Sequence, residues 1–126
     1  MIPKNYSKSL LAASLREELK KLDKPYKVET IFEDLSSYKV KEYIYISSFK
    51  NKHDLTYNET IKILNIFLKK NILREIFIVS FSGKWLGEYY SIADIPLKIY
   101  DEEAGIDLEV TEDHIFTCFE VINSVK

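Results

Sequence analysis

Hydrophobic periodicity changes character once along this chain of 126 residues. Before about residue 75, apolar side chains recur three and four positions apart, as on one face of a helix. Beyond it they tend to alternate with polar ones, as on a strand. Helices followed by strands predict an α+β fold rather than alternating βαβ units around a parallel sheet. The length suits one domain over 1–126, with a mainly helical part at 1–75 and a β-rich part at 76–126.

Within the helical part, Leu11, Leu15, Leu19 and Leu22 fall on one face of a helix predicted over Ser7 to Leu22. Ser7, Ser9 or Ser14 with Glu17 could cap it, Lys20, Lys21 and Lys24 suit its C-terminal dipole, and Pro25 ends it. Val28, Thr30 and Phe32 alternate with charged residues, which predicts a short strand over Val28 to Leu35 that ends at Ser36 and Ser37. Tyr38 to Phe49 is expected to be helical through Val40, Tyr43, Ile44 and Ser47, although Tyr43 to Ile46 also have strand propensity. The clearest element is Thr56 to Lys70. Thr56 and Glu59 form a capping box, Tyr57, Ile61, Leu64, Phe67 and Leu68 form an apolar face, and Asn71 suits the left-handed residue that ends a helix.

The β-rich part is expected to contain strands at Ile76 to Phe81, Trp85 to Tyr90, Ile95 to Tyr100, Ile106 to Val110 and Ile115 to Val121. Ser82–Gly83–Lys84, Asp101–Glu102–Glu103–Ala104–Gly105 and Thr111–Glu112–Asp113 supply the turns. Ile106, Leu108 and Val110 alternating with Asp107 and Glu109 predict a half-buried strand.

Charge divides along the same line. Residues 1–75 carry 15 Lys and Arg against 10 Asp and Glu, and residues 76–126 carry 3 against 10. The net charge of −2 excludes a histone-like basic binder. The lone Cys118 excludes a disulfide framework and suits a reducing cytoplasm. No run of about 18 apolar residues is long enough to span a membrane.

Few residues carry chemistry. His53–Asp54 reads as a polar loop before a helix, because a phosphohydrolase-type metal site needs further ligands. His114 and Cys118 lie four apart, but a Cys–His nucleophile also needs an orienting group and an oxyanion site. Gly83 and Gly87 are isolated, so no phosphate loop exists. Asp101, Glu102, Glu103, Asp107, Glu109, Glu112 and Asp113 lack calcium-loop spacing. They are expected to form solvated turns, or one negative face that docks on a basic partner. No catalytic residues, metal ligands or cofactors are expected.

Val40 to Phe81 resembles a winged helix. A first helix at Lys39 to Lys50, a well-capped second one opening at Leu55–Thr56–Tyr57, and the exit Leu68–Lys69–Lys70–Asn71–Ile72–Leu73 carry the resemblance. Ile76 to Phe81 is similar to the first wing strand, and the Ser7 to Leu22 helix would have to supply the third helix. Val79 to Gly83 and Ile99 to Gly105 resemble the two knuckles of a zinc ribbon that has no cysteines. The layout is similar to that of accessory subunits of bacterial multi-gene systems, phage-defence cassettes among them. The resemblance implies a non-enzymatic protein-interaction or accessory subunit. The alternatives are a DNA-binding regulator reading through Asn58, Lys62, Asn65 and Lys69, and an immunity or antitoxin protein that neutralises a basic partner.

Overall fold

The structure is a computed structural model that describes residues 4–21 and 27–125, with side chains from Leu10 onward. Leu22, Lys24 and Pro25, expected to close the first helix, lie outside the described residues. The element order is α1 (Lys4–Lys20), α2 (Val28–Ser37), β1 (Tyr43–Tyr45), α3 (Ile46–Lys52), α4 (Tyr57–Lys69), β2 (Leu73–Phe81), β3 (Lys84–Tyr89), β4 (Lys98–Asp101), β5 (Ile106–Glu109) and β6 (Ile115–Val121). One sheet has the strand order β1-β6-β2-β3, and β4 pairs with β5 in a second. The class is α+β, as the change of period predicts.

The chain forms two compact units. The first comprises residues 1–74 and 119–126, and the second residues 75–118. The division falls one residue from the change of periodicity, but the C-terminal segment belongs to the helical unit.

The first unit is built around one apolar core. Leu15 and Leu19 of α1, Val28, Ile31, Phe32 and Leu35 of α2, Ile44 of β1, Phe49 of α3, and Ile63, Leu64 and Phe67 of α4 all contribute to it. Leu73, Phe119, Val121 and Val125 complete it from the later chain. Leu15, Leu19, Leu64 and Phe67 are 0% exposed. Burial on this scale is the main favourable contribution to folding.

Three expectations change here. Val28 to Leu35 is a helix, not a strand. Its buried residues, Val28, Ile31, Phe32 and Leu35, are spaced i, i+3, i+4, i+7, and over so short a window they overrode the alternation. Tyr38 to Phe49 is not one helix. Tyr43–Tyr45 forms β1, beside which Lys41 N donates to Val121 O at 2.8 Å and Val121 N to Glu42 O at 2.9 Å, and helix starts only at Ile46. The first helix begins at Lys4, ahead of Ser7, Ser9 and Ser14, so none of them caps it.

Helix α4 forms as its local signals require. Glu59 N donates to Thr56 Oγ1 at 3.1 Å, and Thr56 N donates to Glu59 Oε1 at 2.9 Å. Asn71 takes φ +59°, with Ile72 N donating to Phe67 O at 3.0 Å, which closes the helix end. The buried face is Thr60, Ile63, Leu64 and Phe67. Tyr57, expected on it, is 58% exposed.

The second unit is held by hairpins. Ser82 and Gly83 both have positive φ, +51° and +80°, and join β2 to β3 in a two-residue turn with Phe81 opposite Lys84. A bulge interrupts the ladder between Val79 and Ser80. At the second hairpin, Gly105 N donates to Asp101 O at 2.7 Å with Gly105 at φ +68°. Strand β4 starts at Lys98, later than expected, and the chain before it forms a 3-10 turn over Ile92–Asp94 capped by Ser91.

Candidate interaction surfaces

In the first unit, α3 and α4 are joined by His53, Asp54, Leu55 and Thr56. A turn of this length is typical of a helix-turn-helix. Asp54 takes φ +50°. The turn is anchored to α2. His53 Nε2, on a side chain 5% exposed, lies 2.7 Å from Asp34 Oδ2, and Lys52 Nζ donates to Asp34 Oδ1. Lys27 Nζ donates to His53 O at 2.6 Å and to Asp54 O at 2.9 Å. The His53 ring also lies 4.6 Å from that of Phe49.

Burial works to raise the Asp34 carboxyl, but the hydrogen bonds from Lys52 and His53 outweigh it and hold the group below its usual value. The Asp34 hydrogen bond raises Lys52 in turn. Burial, with Asp34 nearby, raises Tyr38. His53 therefore works with Asp34, nineteen residues away, and not with its neighbour Asp54.

Asn58, Lys62, Asn65 and Lys69 are all exposed on α4, opposite its buried face. The first unit carries 16 Lys and Arg against 10 Asp and Glu, a net of +6.

The second unit is the opposite in sign, with 2 Lys and 10 Asp and Glu, a net of −8. Its seven singled-out carboxylates do not all act alike. Asp101 Oδ1 accepts from Lys84 Nζ at 3.0 Å and from Glu103 N at 3.1 Å. Lys84 Nζ also lies 2.9 Å from Glu103 Oε2. Lys84, with the turn amides of Ala104 and Glu103, lowers the Asp101 carboxyl, and Glu103 and Asp101 raise the lysine. The register puts Tyr100 opposite Asp107 and Lys98 opposite Glu109. Asp107 and Glu109 thus share one face of the hairpin, and Asp101 belongs to the other. Glu102, Glu112 and Asp113 are exposed. Lys84, just after the Ser82–Gly83 turn, ties that turn to the Asp101–Gly105 loop. Among the described residues, no group of three or more His, Cys, Asp or Glu could hold a metal ion.

His114 and Cys118 have separate surroundings. His114 Nδ1 accepts from Thr111 N at 3.0 Å, and its ring stacks on Phe81 at 3.9 Å. Cys118 is 0% exposed.

The feature that residue-by-residue reading missed is apolar exposure. Trp85, Tyr90, Ile92, Leu97, Tyr100, Ile106 and Phe116 of the second unit are all exposed, against four large apolar residues among those described in the first. From Ser80 to Thr117 no residue is fully buried. Ile106, expected on the covered face of a strand, is 52% exposed. Trp85 and Phe116 meet edge to face at 5.7 Å. Ile92, Ile95, Pro96, Leu97, Val110 and Ile115 line a groove of about 410 Å³, with Thr111 and Glu112 completing its wall.

No protein-family model, curated protein or solved structure matches the chain. Among the described residues, no helix is long and apolar enough to cross a membrane.

Proposed function

We propose that the protein is a non-enzymatic interaction subunit that binds another protein through its β-rich unit. The observation that carries this is the stretch from Ser80 to Thr117, which exposes large apolar residues and fully buries none. Exposed apolar surface concentrated in one region marks an interaction site. Both histidines serve structure, His53 on Asp34 and His114 on Thr111 and Phe81, which favours binding over catalysis. The accessory-subunit role rests on the layout resemblance. A photo-cross-linking residue at Tyr100 should give one dominant protein adduct in native cells, which then purifies as a stoichiometric complex. The same residue at Glu29 of α2 should give none. Equal adducts at both positions would refute this reading.

A second reading follows from the first unit. The order α2, β1, α3, α4, β2, with β6 between β1 and β2, supports the winged-helix resemblance, with α2 in place of the α1 helix as the third helix. The exposed row Asn58, Lys62, Asn65 and Lys69 on a unit of +6 favours duplex DNA. Binding at about 50 mM salt should fall steeply as salt rises, and Lys62→Glu with Lys69→Glu should abolish it. A parent protein that binds no duplex at that salt removes this reading.

A further inference from the structure

The groove of the second unit narrows the kind of partner. Its backbone is fixed before anything binds. Val110 N donates to Leu97 O at 2.9 Å, and Ser91 Oγ accepts from Ala93 N at 3.2 Å at the start of the turn that presents Ile92. Ile95, Val110 and Ile115 are half-buried, whereas Ile92 is 66% and Leu97 84% exposed. Two large aliphatic side chains held on an ordered backbone and left in water gain most from being covered.

Charge decides what covers them. Glu112 forms part of the wall, and Asp94, Glu109 and Asp113 flank the lining residues in sequence and are exposed. The unit has only two cations to set against ten carboxylates. Lys84 is engaged with Asp101 and Glu103, and Lys98 stands opposite Glu109 in the hairpin register. An acidic or neutral apolar segment would meet uncompensated negative charge, whereas a basic one is steered in.

We infer that the groove between Ile92, Leu97 and Ile115 receives an apolar side chain on a basic, Lys- or Arg-rich segment of a partner protein. This rests on the interaction reading above and adds the chemistry of the partner to it.

The test uses short fluorescein-labelled peptides and the whole chain. A peptide of Lys-Lys-Leu repeats should bind about tenfold more tightly than one of Lys-Lys-Ser repeats, because burying one leucine is worth at least that factor. Ile92→Ser with Leu97→Ser keeps the charge and should erase the preference while Lys-Lys-Ser binding stays unchanged. Glu112→Gln should weaken Lys-Lys-Leu binding and lower its salt dependence. Equal affinities of the two basic peptides would overturn the inference, leaving only an acidic surface. A Glu-Glu-Leu peptide that binds as well as Lys-Lys-Leu would overturn it too, as would self-association in sedimentation that the Ser variant abolishes, since a second copy would then be the occupant. A cross-linked native partner that still binds the Ser variant overturns the groove but leaves the interaction reading intact. Selective Lys-Lys-Leu binding with no adduct at Tyr100 does the reverse.

Discussion

The two units spend their apolar residues in opposite ways. In the first, 17 hydrophobic residues from seven elements and the segments between them converge on one core, and the surface left over is basic. In the second, burial stops after Val79 and resumes only at Cys118. The 38 residues between are ordered by turns, short ladders and the Lys84 ion pairs, and seven of their large aromatic and aliphatic groups face water. A region can thus be well specified locally while leaving several large apolar side chains uncovered. The first unit is therefore expected to answer mutation with stability, and the second with binding.

The largest effect should come from the centre of the first unit. Phe67 is 0% exposed, and Phe67→Ala should cost about 3–5 kcal/mol through lost burial and the cavity left behind. Urea unfolding measures this, and a loss under about 1 kcal/mol would mean that the core is not packed as described. Next is Asp34→Ala, which leaves His53 buried without its carboxylate partner and should cost about 1–3 kcal/mol. Its pH dependence has a definite sign. The Asp34 value is lowered by folding, so its stabilisation is present above the ordinary aspartate value and is lost as pH falls through the folded one. The variant should therefore show a flatter decline in stability below about pH 4 than the parent. An unchanged acid limb would show that Asp34 titrates alike in both states.

Thr56→Ala removes the α4 cap and should cost about 1 kcal/mol by the same unfolding measurement. In the second unit, Leu97→Ser should change stability by no more than about 0.5 kcal/mol, because the side chain is 84% exposed. A loss as large as that of Phe67→Ala would erase the contrast between the units. Smallest of all, Ser36→Ala should be neutral or slightly stabilising. Its hydroxyl is buried without a hydrogen-bond partner among the described residues, so the parent gains nothing from it.

Sequence alone settled features whose hydrogen bonds close within a few residues. Thr56 with Glu59, the left-handed Asn71, the Ser82–Gly83 turn and the Asp101–Gly105 loop all form as their residue types require. The outward row Asn58, Lys62, Asn65 and Lys69 follows from helical spacing in the same way. The helix at Val28–Ser37 was not among them: alternation of Val28, Thr30 and Phe32 points to a strand and conceals the helical spacing of Ile31 and Leu35.

Other features depended on residues far away in the chain. Tyr43–Tyr45 becomes a strand because it pairs with β6, Ile115–Val121, far along the chain. His53 finds Asp34 rather than Asp54 because α2 packs beside the turn. The groove is assembled from residues 92 to 115 by the β4–β5 hairpin and the 3-10 turns Ile92–Asp94 and Glu112–His114, which no spacing rule connects. Alternation in Ile106, Leu108 and Val110 told which side of the strand is apolar, but not whether anything covers it. The physical reason is common to all four. A backbone turn or cap is closed by its own neighbours, whereas burial and ion pairing are decided by whatever the rest of the chain brings alongside.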